Sequence, residues 1–424
     1  MISTLRLGRA GKTVSSSEAL GALGDGTRAF VCGGSAVPLT LLEAMVAERD
    51  RWTSLELVAD FLLAPLPVFD YPNEPFRFLA LQPSGAVKAM AEAGALTTAA
   101  VALSSWAPLT APGGQYPLDA AIVHVSPPGP EGLYSLGVSV STPLAAMGSA
   151  QTVIAQVNPQ MPYTFGAGEL PAEAFDFLVD ADHALLEFPS PTPDDAMRTI
   201  GQLVAEHIPD GATLQLGLGA LPEVVCDALH NHKRLSIHSG MISDGVVALH
   251  ASGALAGSFH PTYPGKIATG LIGGTKPLFD FCHRNPEVVM ITVAETHGLD
   301  VLRSLPHFRG INSAIEVSAD GSINSERVGP RVVSGPGGAP DYANAAASSV
   351  DGDGKFIVAL PATAAGGKVS RIVAELSPET PATVPGTHVD IVVTEYGVAD
   401  ITDLGPQDRA NALRSITSPA FLSS

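Results

Sequence analysis

Ala212-Thr213-Leu214-Gln215-Leu216-Gly217-Leu218-Gly219-Ala220-Leu221-Pro222 reads as a strand, a glycine turn and the start of a helix. The two glycines allow a tight turn. Pro222 suits a first helical turn, where an N–H has no intrahelical partner to lose. Val224, Val225, Ala228 and Leu229 then recur at helical spacing as a buried face. The same order opens the chain. Ala29-Phe30-Val31-Cys32-Gly33-Gly34 is an apolar run stopped by glycines, followed by Leu41, Leu42, Met45 and Val46 at intervals of one, three and one. Further apolar runs lie at Ala120–Val125, Thr152–Val157, Val288–Val293, Phe356–Leu360 and Ile391–Thr394. Strands alternating with helices predict an α/β chain whose two halves are open α/β domains of one kind.

The break between the halves is Phe188-Pro189-Ser190-Pro191-Thr192-Pro193, because three alternate prolines fit neither a helix nor a central strand. Asp194 and Asp195 then supply an acidic helix start, with Ala196, Met197, Ile200, Leu203 and Val204 on one apolar face. The expected domains are residues 1–188 and 194–424.

Composition narrows the partners. The 424 residues carry 23 basic and 42 acidic side chains, a net charge of −19. Such a surface repels nucleic acid and anionic membranes, and an anionic ligand needs a local cationic pocket. No apolar run approaches the ~18 residues of a membrane span, and the N-terminus lacks the apolar segment of a secretory signal. Three widely spaced cysteines, Cys32, Cys226 and Cys282, fit neither a disulfide framework nor a zinc site. A reducing cytoplasm is the expected compartment. No metal-ligand spacing occurs, so no metal is expected.

Two glycine clusters offer backbone to a ligand. Gly217-Leu218-Gly219 places amides beside a helix N-terminus, a geometry suited to a phosphate or an oxyanion. Ser334-Gly335-Pro336-Gly337-Gly338 is the second, with Lys355, Lys368 and Arg371 as cations further along the chain. Between them runs His238-Ser239-Gly240-Met241-Ile242-Ser243-Asp244-Gly245. His238 reads either as a satisfied core histidine or as a general base. Ser239 as a nucleophile would need a base and an orienting group.

These motifs resemble the acetyl-CoA hydrolase/transferase family, which includes 4-hydroxybutyrate and butyrate CoA-transferases. The match runs in order through Gly33–Pro38, His124–Pro128, Gly132–Gly137, Gln156–Pro162, the Gly217 turn, His238–Gly245, Ile311–Val317, Ser334–Gly338, Gly366–Val373 and Val393–Asp400. The resemblance implies two CoA-transferase-type domains with the active site between them, coenzyme A as substrate, and a homo-oligomer, dimer or higher. It carries Gly217, Gly219, Asn312, Gly335, Gly338 and Lys355 over as contacts to CoA or its thioester. It also implies an acyl-CoA and a small carboxylic acid as partners. In the family a glutamate stands between the Ser/Thr and the Met and attacks the thioester; here that position is Gly240. Ala339 replaces a usual Gln and Gly386 a common Arg.

Three activities fit this pattern. One is an acyl-CoA hydrolase or lyase working without a covalent glutamate. A second is a transferase using another carboxylate, Glu316 or Glu395. The third is a catalytically silent CoA-binding subunit. If only a side chain has been lost, Gly240→Glu is expected to restore a carboxylate at near-attack distance.

Overall fold

The computed structural model describes residues 5–256 and 259–422. The chain forms two compact units, one of Met1–Phe188 with Gly270–Ala294 and one of Pro189–Thr269 with Glu295–Ser424. The chain leaves the first unit at the expected proline break. It then returns for residues 270–294, which the sequence reading had placed in the second domain. The strand Val288–Met290 belongs to this return and pairs in parallel with Phe165–Gly166.

The first unit is built on eight strands: β1 (Lys12–Thr13), β2 (Arg28–Val31), β3 (Leu55–Ala59), β4 (Phe76–Ala80), β5 (Leu96–Thr98), β6 (Ala120–Val125), β7 (Thr152–Val157) and β8 (Phe177–Asp180). Their spatial order is β1-β8-β7-β6-β2-β3-β4-β5, parallel throughout. The β6 residues are buried at every position, as expected for a parallel sheet covered on both faces. Helix α1 (Leu39–Ala47) buries Leu41, Leu42 and Met45 in one core with Leu55, Phe76 and Phe78.

The second unit repeats this plan with β9 (Thr213–Gln215), β10 (Ser236–Ser239), β11 (Ile267–Thr269), β12 (Phe308–Asn312), β13 (Lys355–Ala359), β14 (Ile391–Thr394) and β15 (Gly397–Asp400). The order is β15-β14-β13-β12-β9-β10-β11, parallel except for the last hairpin, β14–β15. In each unit the first core strand lies at the point of reversal. From β2 the chain builds β3 and β4 to one side and β6, β7 and β8 to the other; from β9 it builds β10 and β11, then β12, β13 and β14. The two halves therefore share one topology.

Helix α2 (Asp195–Ala205) begins at the expected cap, where the Asp194 carboxylate accepts the Met197 N–H at 2.8 Å. Helix α3 (Ala220–Ala228) starts just past Gly219, whose φ of +103° favours glycine. Pro222 is its third residue, still within the turn that needs no N–H. Helix α4 (Ala339–Ala347) follows Gly338 and buries Tyr342, Ala343 and Ala346. Cys32, Cys226 and Cys282 are buried and unpaired. Among the described residues no helix is long and apolar enough to cross a membrane.

The shared topology pairs positions. Two residues past β2 stands Gly33, and two past β9 stands Gly217. One residue past β3 stands Asp60, and one past β10 stands Gly240. Asp60 is a buried carboxyl that accepts the Gly33 N–H at 3.0 Å and the Thr142 hydroxyl. Burial raises its pKa, against those hydrogen bonds. The first unit thus has a carboxyl at the place where the second has a glycine.

Candidate active site

In open α/β sheets, ligands gather at the carboxyl ends of the strands where the strand order reverses. In the second unit that point lies between β9 and β12. The Asn312 amide donates to Gln215 Oε1 at 2.7 Å and ties the two strand ends together. Gly217 and Gly219 follow β9, and a Cβ at either would meet nothing within 4 Å. Open space beside a helix N-terminus is what the anion reading requires.

Ser239 closes the β9–β10 side. Its hydroxyl accepts the Leu216 N–H at 3.1 Å and donates to the Leu216 carbonyl at 2.7 Å. The side chain is fully buried, so its one proton is committed to a cross-strand clamp.

The hydrogen bonds of His238 fix its tautomer. The Thr262 and Tyr263 amides both donate to His260 Nδ1, at 3.2 and 3.0 Å. That nitrogen is therefore unprotonated, and neutral His260 carries its proton on Nε2. His260 Nε2 then donates to His238 Nδ1 at 2.9 Å, leaving His238 Nε2 to donate to the Glu295 carbonyl at 2.9 Å. Both ring nitrogens are used and the ring is fully buried. His238 holds the Glu295 backbone; as a general base it would first have to break these bonds. Tyr263 strengthens the same corner by donating its hydroxyl to Glu295 Oε1 at 2.6 Å.

Two residues beyond Glu295 stands His297, which joins a second set of bonds. The Gly240 N–H donates to Tyr342 Oη at 2.9 Å. Tyr342 Oη and His297 Nε2 also share a hydrogen bond at 2.9 Å, in which Tyr342 is the donor when the His297 proton sits on Nδ1. In that tautomer His297 Nδ1 donates to Thr296 Oγ1, 2.7 Å away. Tyr342 and His297 are both buried, while Gly240 and Gly338 beside them are partly exposed. A Cβ on Gly240 would lie 2.6 Å from Tyr342 Oη and 2.7 Å from His297 Cε1. A Cβ on Gly338 would lie 2.5 Å from His297 Nε2. The φ of Gly240 is not positive, so the demand for glycine there is spatial. Two glycines on separate elements make room for one pair of rings.

Other expected residues lie elsewhere. Lys355 is the first residue of β13 and is paired with Arg309, whereas Asn312 is paired with Val358. Three residues of strand, roughly 10 Å, separate it from the Asn312 end. Its ammonium donates to Thr402 Oγ1 at 3.0 Å and lies 3.5 Å from Asp390. Arg371 grips the carbonyls of Ile315 and Ala314. Glu316 accepts the Asn324 amide at 3.0 Å and Glu395 accepts the Ala362 N–H at 2.8 Å, so each carboxylate has a structural partner. Gly335 is buried in the loop before α4, with Gly337 at φ +58° and open space around it. The sequence reading missed His297, His260 and Tyr342. No local spacing marks them, since the Tyr342 contacts span 45 and 102 residues.

Burial keeps these histidines neutral. It lowers the pKa of His297 and His124 to about 3 and that of His260 to about 4, with smaller effects from a neighbouring histidine in each case. The unfolded chain protonates near the usual histidine value of ~6.5 and so binds more protons below it. Stability is therefore fully present above pH 6.5 and is lost as pH falls toward 3–4. At pH 5 each group costs roughly 2 kcal/mol. Thermal melts should show Tm several degrees lower at pH 5 than at pH 7.5; an equal Tm would mean that these rings are not buried as neutral groups.

Comparison with known proteins places this geometry. Residues 10–187 match the acetyl-CoA hydrolase/transferase N-terminal domain and residues 274–424 its C-terminal domain. The chain belongs to the acetyl-CoA hydrolase/transferase family, whose members are enzymes acting on acyl-CoA. It is 35% identical to the 4-hydroxybutyrate coenzyme A transferase of Clostridium kluyveri, over 97% of this chain and 95% of that one. It is 34% identical to a succinyl-CoA:acetate/propanoyl-CoA:succinate CoA transferase of Fasciola hepatica, covering 95% and 84%. The crystal structure of a 4-hydroxybutyrate CoA-transferase from Porphyromonas gingivalis superposes with a TM-score of 0.81 at 30% identity, covering 97% and 95%. RipA from Yersinia pestis shares the fold, with a TM-score of 0.91 at 24% identity and the same coverage.

Proposed function

We propose that this enzyme hydrolyses acyl-CoA thioesters with water as the attacking group and no covalent intermediate at residue 240. The observation that carries the reading is the occupied space at Gly240. The position has no carboxylate, and the room for one holds the Tyr342 hydroxyl and the His297 ring. In this reading CoA is bound as a substrate, without a metal, by Gly217, Gly219, Asn312, Gly335 and Gly338. Ser239 and His238 hold the strand end and the Glu295 backbone in place. The acyl group is that of a small carboxylic acid. The family resemblance and the unpaired cysteines support a cytoplasmic homo-oligomer.

The CoA-transferase relatives favour a second reading, CoA transfer, for which Glu316 and Glu395 are the carboxylates to test. One experiment separates the two. Acetyl-CoA or butyryl-CoA is supplied with and without a carboxylate acceptor, free thiol is followed, and the protein is then treated with borohydride and weighed intact. Hydrolysis predicts thiol release without acceptor and an unmodified mass. Transfer without thiol release, or an adduct mapping to Glu316 or Glu395, would favour the transferase.

A further inference from the structure

We infer that Tyr342, backed by His297, takes the proton from the attacking water. The inference rests on the hydrolytic reading and assigns its missing base. Tyr342 Oη accepts the Gly240 N–H and, with the His297 proton on Nδ1, gives its own proton to His297 Nε2. A phenol oxygen has two acceptor sites and one proton, so one acceptor site is left. The hydroxyl stands 2.6 Å from where a side chain at residue 240 would begin. Water is a donor small enough to use that site.

The bonds run in one direction. In this tautomer Nδ1 holds the His297 proton, directed at Thr296, and the unprotonated Nε2 faces Tyr342 and can receive a proton. A water at the free site would pass a proton to Tyr342 Oη as Tyr342 passes its own to His297. The water oxygen bonds to the thioester carbonyl carbon. The tetrahedral intermediate then breaks its C–S bond, and the proton returns through Tyr342 to the departing sulfur. One water is consumed, and one carboxylic acid and one CoA thiol are formed. No oxidant, metal or second substrate is needed.

The surroundings fit this role. His238 holds the Glu295 carbonyl two residues before His297, and so sets where that ring sits. Gly240 and Gly338 both lack the Cβ that would crowd the pair. Burial keeps His297 neutral, so one of its ring nitrogens carries no proton across the working pH range.

The test uses the full chain and two conservative variants. Tyr342→Phe keeps the ring and removes the hydroxyl. His297→Gln can keep an acceptor for Tyr342 but cannot take up a proton. Each should lower kcat for acetyl- or butyryl-CoA hydrolysis by roughly 10²-fold or more, as loss of a general base does. KM should stay within a few-fold, and the parent's kcat should be flat from pH 8 down to pH 5. The parent should also slow in D2O with more than one proton in flight, a reading that holds even if a variant fails to fold. Hydrolysis by the parent with either variant near parental kcat, or a parental rate unchanged in D2O, overturns the relay and leaves the hydrolytic reading standing. A parent that only transfers CoA to acids overturns both.

Discussion

Gly240→Glu is expected to give no CoA transfer and a less stable protein. The motif invites the opposite expectation, because a positioned carboxylate offers a large effective molarity, on the order of 10⁵ M in good cases. The structure removes the room for it. The new Cβ would sit 2.6 Å from Tyr342 Oη and 2.7 Å from His297 Cε1, closer than real contacts allow. Both rings are buried and held by hydrogen bonds, so neither is a free end that swings aside. Overpacking of this kind costs about 1–3 kcal/mol. At ~2–4 °C per kcal/mol for units of this size, Tm should fall by several degrees. Adding Tyr342→Phe and His297→Ala clears the closest atoms, and only that triple variant should both fold and transfer CoA. Transfer by the single variant above the parent's level would show that the rings yield easily.

His238→Ala should be the most destabilising change at the site. It removes the ring that the His260 Nε2–H and the Glu295 carbonyl are bonded to in a buried place and opens a cavity of ring size. Unpaired buried groups cost roughly 1–3 kcal/mol each and large-to-small changes ~2–5 kcal/mol, so a loss of about 4 kcal/mol or more is expected in urea unfolding. Whatever activity survives should keep the parental pH profile, because His238 acts by position. A fully stable His238→Ala protein whose pH profile had lost a limb would restore the general-base reading.

The sequence showed the fold better than it showed the site. Glycine turns after apolar runs placed β2, β9 and the helices behind them, because backbone freedom is a local property. The proline break found the exit from the first unit at Phe188. It could not show the return at Gly270, because pairing of Val288–Met290 with Phe165–Gly166 is a non-local choice. The sequence also singled out residues that the fold gathers at neighbouring strand ends: Gly217, Ser239, Gly240 and Asn312. Lys355 stands at the other end of its strand from the residue paired with Asn312, which closeness in sequence does not show. Tyr342 and His297 were missed because a single histidine and a tyrosine on an alanine-rich helix read as core.

The discontinuous first unit also governs the order in which the protein can be completed during synthesis. Residues 270–294 leave the ribosome after β9, β10 and β11, so the second sheet has begun before the first unit has all of its chain. A nascent chain ending at Phe188 still lacks the partner strand of Phe165–Gly166. Domains usually fold as units in the order they emerge, and mispairing between like domains is a known hazard. Here two halves of one strand order are exposed together, half-built.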